Sequence, residues 1–125
     1  MIVGSKKSAT VRAMYAKRSD KAIECALSEI KISDIAPFVE SVYLYGSCAR
    51  NEQTYGSDVD LLIELTPTFD KAEKKSVMIS KLRGRLNNLG ESMPEVEAKF
   101  VIGDKWKSDE SLFYRNIRRD VRKLW

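Results

Sequence analysis

Ser41-Val42-Tyr43-Leu44-Tyr45-Gly46-Ser47 and, after ten intervening residues, Asp58-Val59-Asp60-Leu61-Leu62-Ile63-Glu64-Leu65 are the two stretches that decide the fold. The first is a β-branched and aromatic run that stops at a glycine, which reads as a strand entering a turn. The second alternates: Asp58, Asp60, Leu62 and Glu64 fall on one face of a strand, and Val59, Leu61, Ile63 and Leu65 on the other. Two carboxylates therefore stand on the same side of one strand end. Between the stretches, Cys48 to Ser57 is polar, with Asn51, Gln53 and Gly56 marking a loop that has room for one helical turn at its start.

This order brings two halves of a phosphate-transfer site together. Gly46 has no side chain, so a phosphate can approach the backbone, and a helical turn after Ser47 would add free N–H donors. The Ser47 hydroxyl can supply one more. Asp58 and Asp60 present the hard oxygen ligands that Mg²⁺ prefers. Nucleotidyl transfer needs charge neutralised on the reacting phosphate and on the leaving pyrophosphate, which a pair of metal ions accomplishes. A third carboxylate is wanted to complete such a site and to accept the proton of an incoming hydroxyl. Glu97 is the candidate, and Glu95, two residues earlier on the same strand face, is its competitor.

The rest of the chain supplies the scaffold. Val11 to Lys31 lacks Pro and Gly and carries Ile23, Leu27 and Ile30 at helical spacing, predicting one amphipathic helix before Pro37. Beyond Thr66-Pro67-Thr68, Lys71 to Asn88 predicts a second helix through Met78, Leu82, Leu86 and Leu89, with Gly90 as its C-cap. Glu95 to Ile102 reads as a third strand, with Glu95, Glu97 and Lys99 on one face, closed by Gly103-Asp104. At the C-terminus, Phe113, Ile117, Val121 and Leu124 predict one more helix, whose opposite side bears Arg115, Arg118, Arg119 and Arg122. The fold class is α+β: a small mixed sheet with helices packed on it, in a single domain made of an N-terminal helical segment, 1–39, and a core, 40–125.

Composition narrows the chemistry. With 43% hydrophobic and 32% charged residues, the 125-residue chain has the make-up of an ordinary folded domain. Its apolar runs fall far short of the roughly 18 residues that would span a bilayer. Met1 to Thr10 carries Lys6 and Lys7 without an apolar stretch behind them, so a cytoplasmic location is expected. Histidine is absent, which excludes Ser-His-Asp and Cys-His catalysis and every histidine metal site. Cys25 and Cys48 lack zinc-site spacing and are assigned no role. A net charge of +4 favours polyanionic partners without choosing among them.

Gly46, Ser47, Asp58 and Asp60 resemble the GSx10DxD signature of the DNA polymerase β-like nucleotidyltransferase superfamily, and within it the minimal nucleotidyltransferase group. Leu44-Tyr45-Gly46-Ser47-Cys48-Ala49-Arg50 and Ser57-Asp58-Val59-Asp60-Leu61-Leu62 follow that group's order, and the likeness runs from about Glu40 to the end. The chain departs from the pattern at Glu97, where the family usually has Asp, and at Ala98-Lys99, where an apolar pair is expected. The resemblance implies a nucleotidyltransferase fold, Mg²⁺ bound by Asp58, Asp60 and Glu97, ATP as donor of AMP, and an adenylylated hydroxyl acceptor. Some members are antitoxins that modify a helical HEPN-type toxin; others of similar fold modify aminoglycosides or tRNA ends. The short chain favours a partner that supplies the other half of the site.

Each motif also has a plainer reading. Asp-x-Asp pairs occur on solvated strand ends, and here the preceding strand, Gly46-Ser47 and the spacing set this one apart. Arg50 suits phosphate with its bidentate fork but equally suits a surface. The C-terminal arginines read chiefly as a solvated helix face, Glu64 as solvated or paired, and Tyr43 and Tyr45 as core. Two other functions compete with catalysis. A degenerate module of the same fold would keep nucleotide or partner affinity, as the glutamate at position 97 suggests. A nucleic-acid binder would leave Asp58 and Asp60 unexplained and shows no recognised RNA-binding pattern.

Overall fold

The structure is a computed structural model that describes residues 2–52 and 58–125, with side chains from Val11 onward except Arg12. Gln53, Gly56 and Ser57 of the motif loop, and the side chains of Lys6 and Lys7, lie outside the described residues. The elements run α1 (Ile2–Ile32), β1 (Val39–Tyr45), β2 (Val59–Leu65), α2 (Lys75–Leu86), β3 (Val96–Ile102), α3 (Leu112–Asp120) and β4 (Arg122–Lys123), with short 3-10 turns at Ala36–Phe38, Pro67–Lys71 and Lys105–Lys107. The sheet order is β3-β2-β1-β4. β2 runs antiparallel to β1 and parallel to β3, while β4 is antiparallel to β1. This is the α+β arrangement with a small mixed sheet that the sequence predicts.

Alternation in the strands sorts the side chains into two layers. Val42, Leu44, Val59, Leu61, Ile63 and Leu65 are buried against α1 and α2. On the other face Tyr43 and Leu62 pack with Trp106 and with Ile117 of α3. Because helices cover both faces, β2 is buried along nearly its whole length rather than half solvated.

Helix α1 meets the sheet through small residues. Ala22, Ala26 and Ile30 are fully buried, continuing from buried Ser19, whereas Ile23 and Leu27, expected at the centre of the apolar face, are only partly buried at its flank. Alanines at i and i+4 let the helix axis approach the sheet closely. Helix α2 is shorter than the sequence suggests: Pro67–Lys71 forms a separate 3-10 turn, and Leu82 and Leu86 are the buried anchors of the helix. It ends at Leu86, so Gly90 is not its C-cap.

The C-terminal helix is also shorter than expected. α3 stops at Asp120, and Val121 adopts an extended conformation with ψ 137°. Arg122 and Lys123 then add a short edge strand to β1. The Val42 N–H donates to the Trp125 carbonyl at 3.1 Å, and the Leu124 N–H donates to the Val42 carbonyl at 2.8 Å. Val121 and Leu124 therefore do not extend the helical stripe begun by Phe113 and Ile117, and Arg122 is parted from Arg115, Arg118 and Arg119. An edge strand satisfies backbone groups of β1 that a longer helix would leave unpaired.

Glu64, on the face shared with Asp60, is buried and paired rather than solvated. The Trp106 Nε1–H donates to its Oε2 at 2.6 Å, and Lys107 Nζ lies 3.9 Å away. Trp106→Phe removes the donor and leaves a buried carboxylate under-satisfied, so it will cost about 2–3 kcal/mol. Glu64→Gln keeps an acceptor and will cost less; urea denaturation of the two variants measures the difference.

Candidate functional site

The close of β1 and the start of β2 define the site. At the end of β1, Gly46 adopts φ +77°, in the left-handed region that favours glycine. The next residues form one helical turn, in which the Arg50 N–H donates to the Gly46 carbonyl at 3.3 Å and the Glu52 N–H to the Ser47 carbonyl at 2.9 Å. The glycine has a second structural reason beyond phosphate access: a Cβ at position 46 would collide with Oδ2 of Asp60. Turn and aspartate are thus fitted to each other.

Strand register places the acids. Tyr45 of β1 is the partner of Asp60 on β2, and Asp60 is the partner of Glu97 on β3, so the three form a row across the sheet. At the mouth of the row, Asp58, Glu95 and Glu97 each offer a carboxylate oxygen within 4.8 Å of the others. Glu95 and Glu97, alternatives in the sequence, are therefore neighbours in the structure. Asp60 lies deeper, against the Gly46 turn. Among the described residues, no lysine or arginine forms an ion pair with any of these four carboxylates.

The uncompensated charge shows in protonation. Asp60 is pushed from its ordinary 3.8 up to about 6, first by burial, then by the negative charges of Glu97 and Asp58, with Arg50 acting weakly the other way. Tyr45 is pushed up to about 12 by burial, by Asp60 and Glu97, and by Tyr114. Such a cluster fits a divalent cation. Oxygens on opposite sides of Mg²⁺ at about 2.1 Å stand about 4.2 Å apart, within a small side-chain adjustment of the observed group. A surface groove lined by Glu95, Glu97, Arg83 and Asn87 opens beside it.

Arg50 is engaged elsewhere. Its guanidinium pairs with Glu52 at 3.1 Å and with Asp120, at the end of α3, at 3.0 Å. It latches the motif turn to α3, a role that sequence reasoning could not see because Asp120 is 70 residues away. Cys48, assigned no role from sequence, is buried behind the turn; its thiol lies 3.4 Å from the Asp58 carbonyl and 3.6 Å from the Ser19 hydroxyl. Burial raises the thiol pKa, so it packs α1 against the site as an unreactive group. On the other side of the row, Tyr45 meets Phe113 edge-on at 6.3 Å, and Phe113 meets Tyr114 at 5.2 Å.

Comparison with known proteins points the same way as this geometry. The pattern of the nucleotidyltransferase domain family matches residues 27–122. Among solved structures, a candidate nucleotidyltransferase from Sulfolobus solfataricus is similar with a TM-score of 0.50 at 17% identity, over 94% of this chain and 85% of that one. A toxin–antitoxin structure with AMP-PNP is similar with a TM-score of 0.56 at 16% identity, over 82% of this chain and 71% of that one. At such identities the likeness is one of fold. No significant match to a curated protein was found.

Proposed function

The chain belongs to the nucleotidyltransferase domain family, and from that premise we propose that it transfers AMP from ATP to a hydroxyl acceptor, with Asp58, Asp60 and Glu97 holding Mg²⁺ and Glu95 beside them. The observation that carries this reading is the group of Asp58, Glu95 and Glu97 carboxylates, with Asp60 beside Glu97 in register and, among the described residues, no paired cation, at the meeting of the Gly46-Ser47 turn with β2 and β3. Mg²⁺ bound there would neutralise charge developing on the transferred phosphate and the leaving pyrophosphate. The Ser47 hydroxyl and the N–H groups of its turn orient the phosphates. Glu97 accepts the proton of the attacking hydroxyl, and Asp60 fixes the turn against β2.

The protein partner is proposed on a narrower base. One structural neighbour is a toxin–antitoxin with AMP-PNP, which supports reading this chain as an antitoxin of the minimal nucleotidyltransferase type that modifies a small helical HEPN-type partner in the cytoplasm. No helix among the described residues is long and apolar enough to cross a membrane.

The test is Mg²⁺-dependent release of pyrophosphate together with transfer of labelled AMP from ATP, with the partner or a cell lysate as acceptor. Wild type is expected to label an acceptor while Glu97→Ala falls by about 10²-fold or more, the range of a lost general base. Binding of ATP without transfer to any acceptor would instead identify a degenerate nucleotide-binding module.

A further inference from the structure

Lys99 sits where the family pattern expects an apolar residue, and its surroundings give it a task. It follows Glu97 by two residues on β3, so both side chains leave the same face of the sheet from Cα atoms about 6.6 Å apart. The Lys99 ammonium does not turn back to the carboxylates. It lies over the ring of Phe113, 5.0 Å from the centroid, and over that of Tyr114 at 5.8 Å. Among the described residues it forms no ion pair. A cation held this way keeps its full charge, because ring faces attract it without neutralising it. The same contact keeps it off Glu97, which leaves the carboxylates open to a metal ion.

The neighbouring cations are placed differently. Arg50 is held by Glu52 and Asp120. Arg83 donates to the Ala98 carbonyl and lies over Phe100. Lys99 is therefore an unneutralised cation on the face of the carboxylate row, at the end of a flexible stem that can swing from the aromatic shelf. The shelf itself is open: Phe113 is 46% exposed although it adjoins Tyr45 of the row.

We propose that Lys99 is a phosphate-binding residue of the nucleotide site, parked on Phe113 and Tyr114 in the free protein and swinging to the phosphates of a bound nucleoside triphosphate. This deepens the transferase reading and rests on it. The ligand class follows from charge: the carboxylates repel a triphosphate unless metal is present, and Lys99 adds a positive charge on the same face without occupying a metal ligand. Lys99 acts on the phosphates, so its contribution grows with their number.

The test is calorimetric titration of the full chain with Mg²⁺-bound non-hydrolysable ATP analogue and with AMP, for wild type, Lys99→Met and Lys99→Arg. Mn²⁺ binding to the same proteins is followed by electron paramagnetic resonance. Lys99→Met keeps the apolar stem over the rings and is expected to weaken analogue binding about tenfold, to change AMP binding less than threefold, and not to weaken Mn²⁺ binding. Lys99→Arg is expected to restore most of the loss. Equal analogue affinity in wild type and Lys99→Met overturns the proposal while leaving the transferase reading intact; equal losses for AMP and analogue also overturn it, by assigning Lys99 a structural role. A wild type that binds neither nucleotide overturns both readings.

Discussion

Asp60→Asn will reduce nucleotidyl transfer by about 10³-fold and will make the metal-free protein more stable. Both effects come from the environment of one carboxylate. The loss of activity reflects removal of a proposed metal ligand, worth several kcal/mol of transition-state stabilisation, at about 1.4 kcal/mol for each factor of ten in rate. The gain in stability follows from protonation. Asp60 is raised to about 6 in the folded chain by burial and by Glu97 and Asp58. The folded state therefore holds this proton more tightly than the unfolded chain does. The penalty is absent below about pH 4, develops between about pH 4 and 6, and is fully present at neutral pH. The displacement from 3.8 to about 6 corresponds to about 3 kcal/mol, which solvent screening of a partly exposed side chain reduces to about 1–2 kcal/mol. Thermal melts of metal-free wild type should thus gain stability from this group as pH falls from 7 to 5, and Asp60→Asn should remove that part of the slope. An Asn variant no more stable than wild type at pH 7, with the same slope, would contradict the charge argument. Added Mg²⁺ should stabilise wild type more than the variant, since ligand binding to the native state raises its stability.

Local strand geometry, as opposed to strand pairing, decides which parts of the site are legible in the sequence. Asp58 and Asp60 could be read because a strand has a period of two and the glycine turn comes a fixed distance before it. The register that sets Asp60 beside Glu97 is a consequence of parallel pairing, and no local pattern encodes it. Glu95 and Glu97 therefore looked like alternatives, although both lie with Asp58. Arg50 and Lys99 were visible as cations, but their partners, Asp120, Phe113 and Tyr114, come from α3 and become neighbours only on folding.

The fold was legible to a similar depth. Strands and helices followed from periodicity, whereas their ends depended on tertiary contacts. The spacing of Phe113, Ile117, Val121 and Leu124 fits one helix, yet pairing of the last residues with β1 ends it at Asp120. No proline or glycine announces that stop. On α1, Ile23 and Leu27 have the larger side chains, but close approach to the sheet favours Ala22 and Ala26. Hydrophobicity identifies the helix, and steric fit chooses the face.

Gly46→Ala is the second substitution expected to act strongly, and it separates two reasons for one glycine. An L-residue at φ +77° carries a backbone penalty of about 1–2 kcal/mol. Its Cβ would also collide with Asp60 Oδ2, and overpacking of this kind adds about 1–3 kcal/mol. Together these predict a loss of about 2–5 kcal/mol, readable in urea denaturation, and a displaced Asp60 that no longer supports transfer. The two contributions part in a double-mutant cycle. With Asp60→Ala as background, the carboxylate is gone and only the backbone penalty remains, so Gly46→Ala should then cost about 1–2 kcal/mol. Equal costs in the two backgrounds would mean that Asp60 simply moves aside, and the close fit of turn to aspartate would be incidental. A cost that falls by half or more when Asp60 is removed would show that the glycine is required because the aspartate occupies the space a side chain would need. The turn residue and the strand carboxylate would then be a single device: the glycine admits Asp60 to the base of the turn, and Asp60 holds the turn where a phosphate can meet the carboxylates.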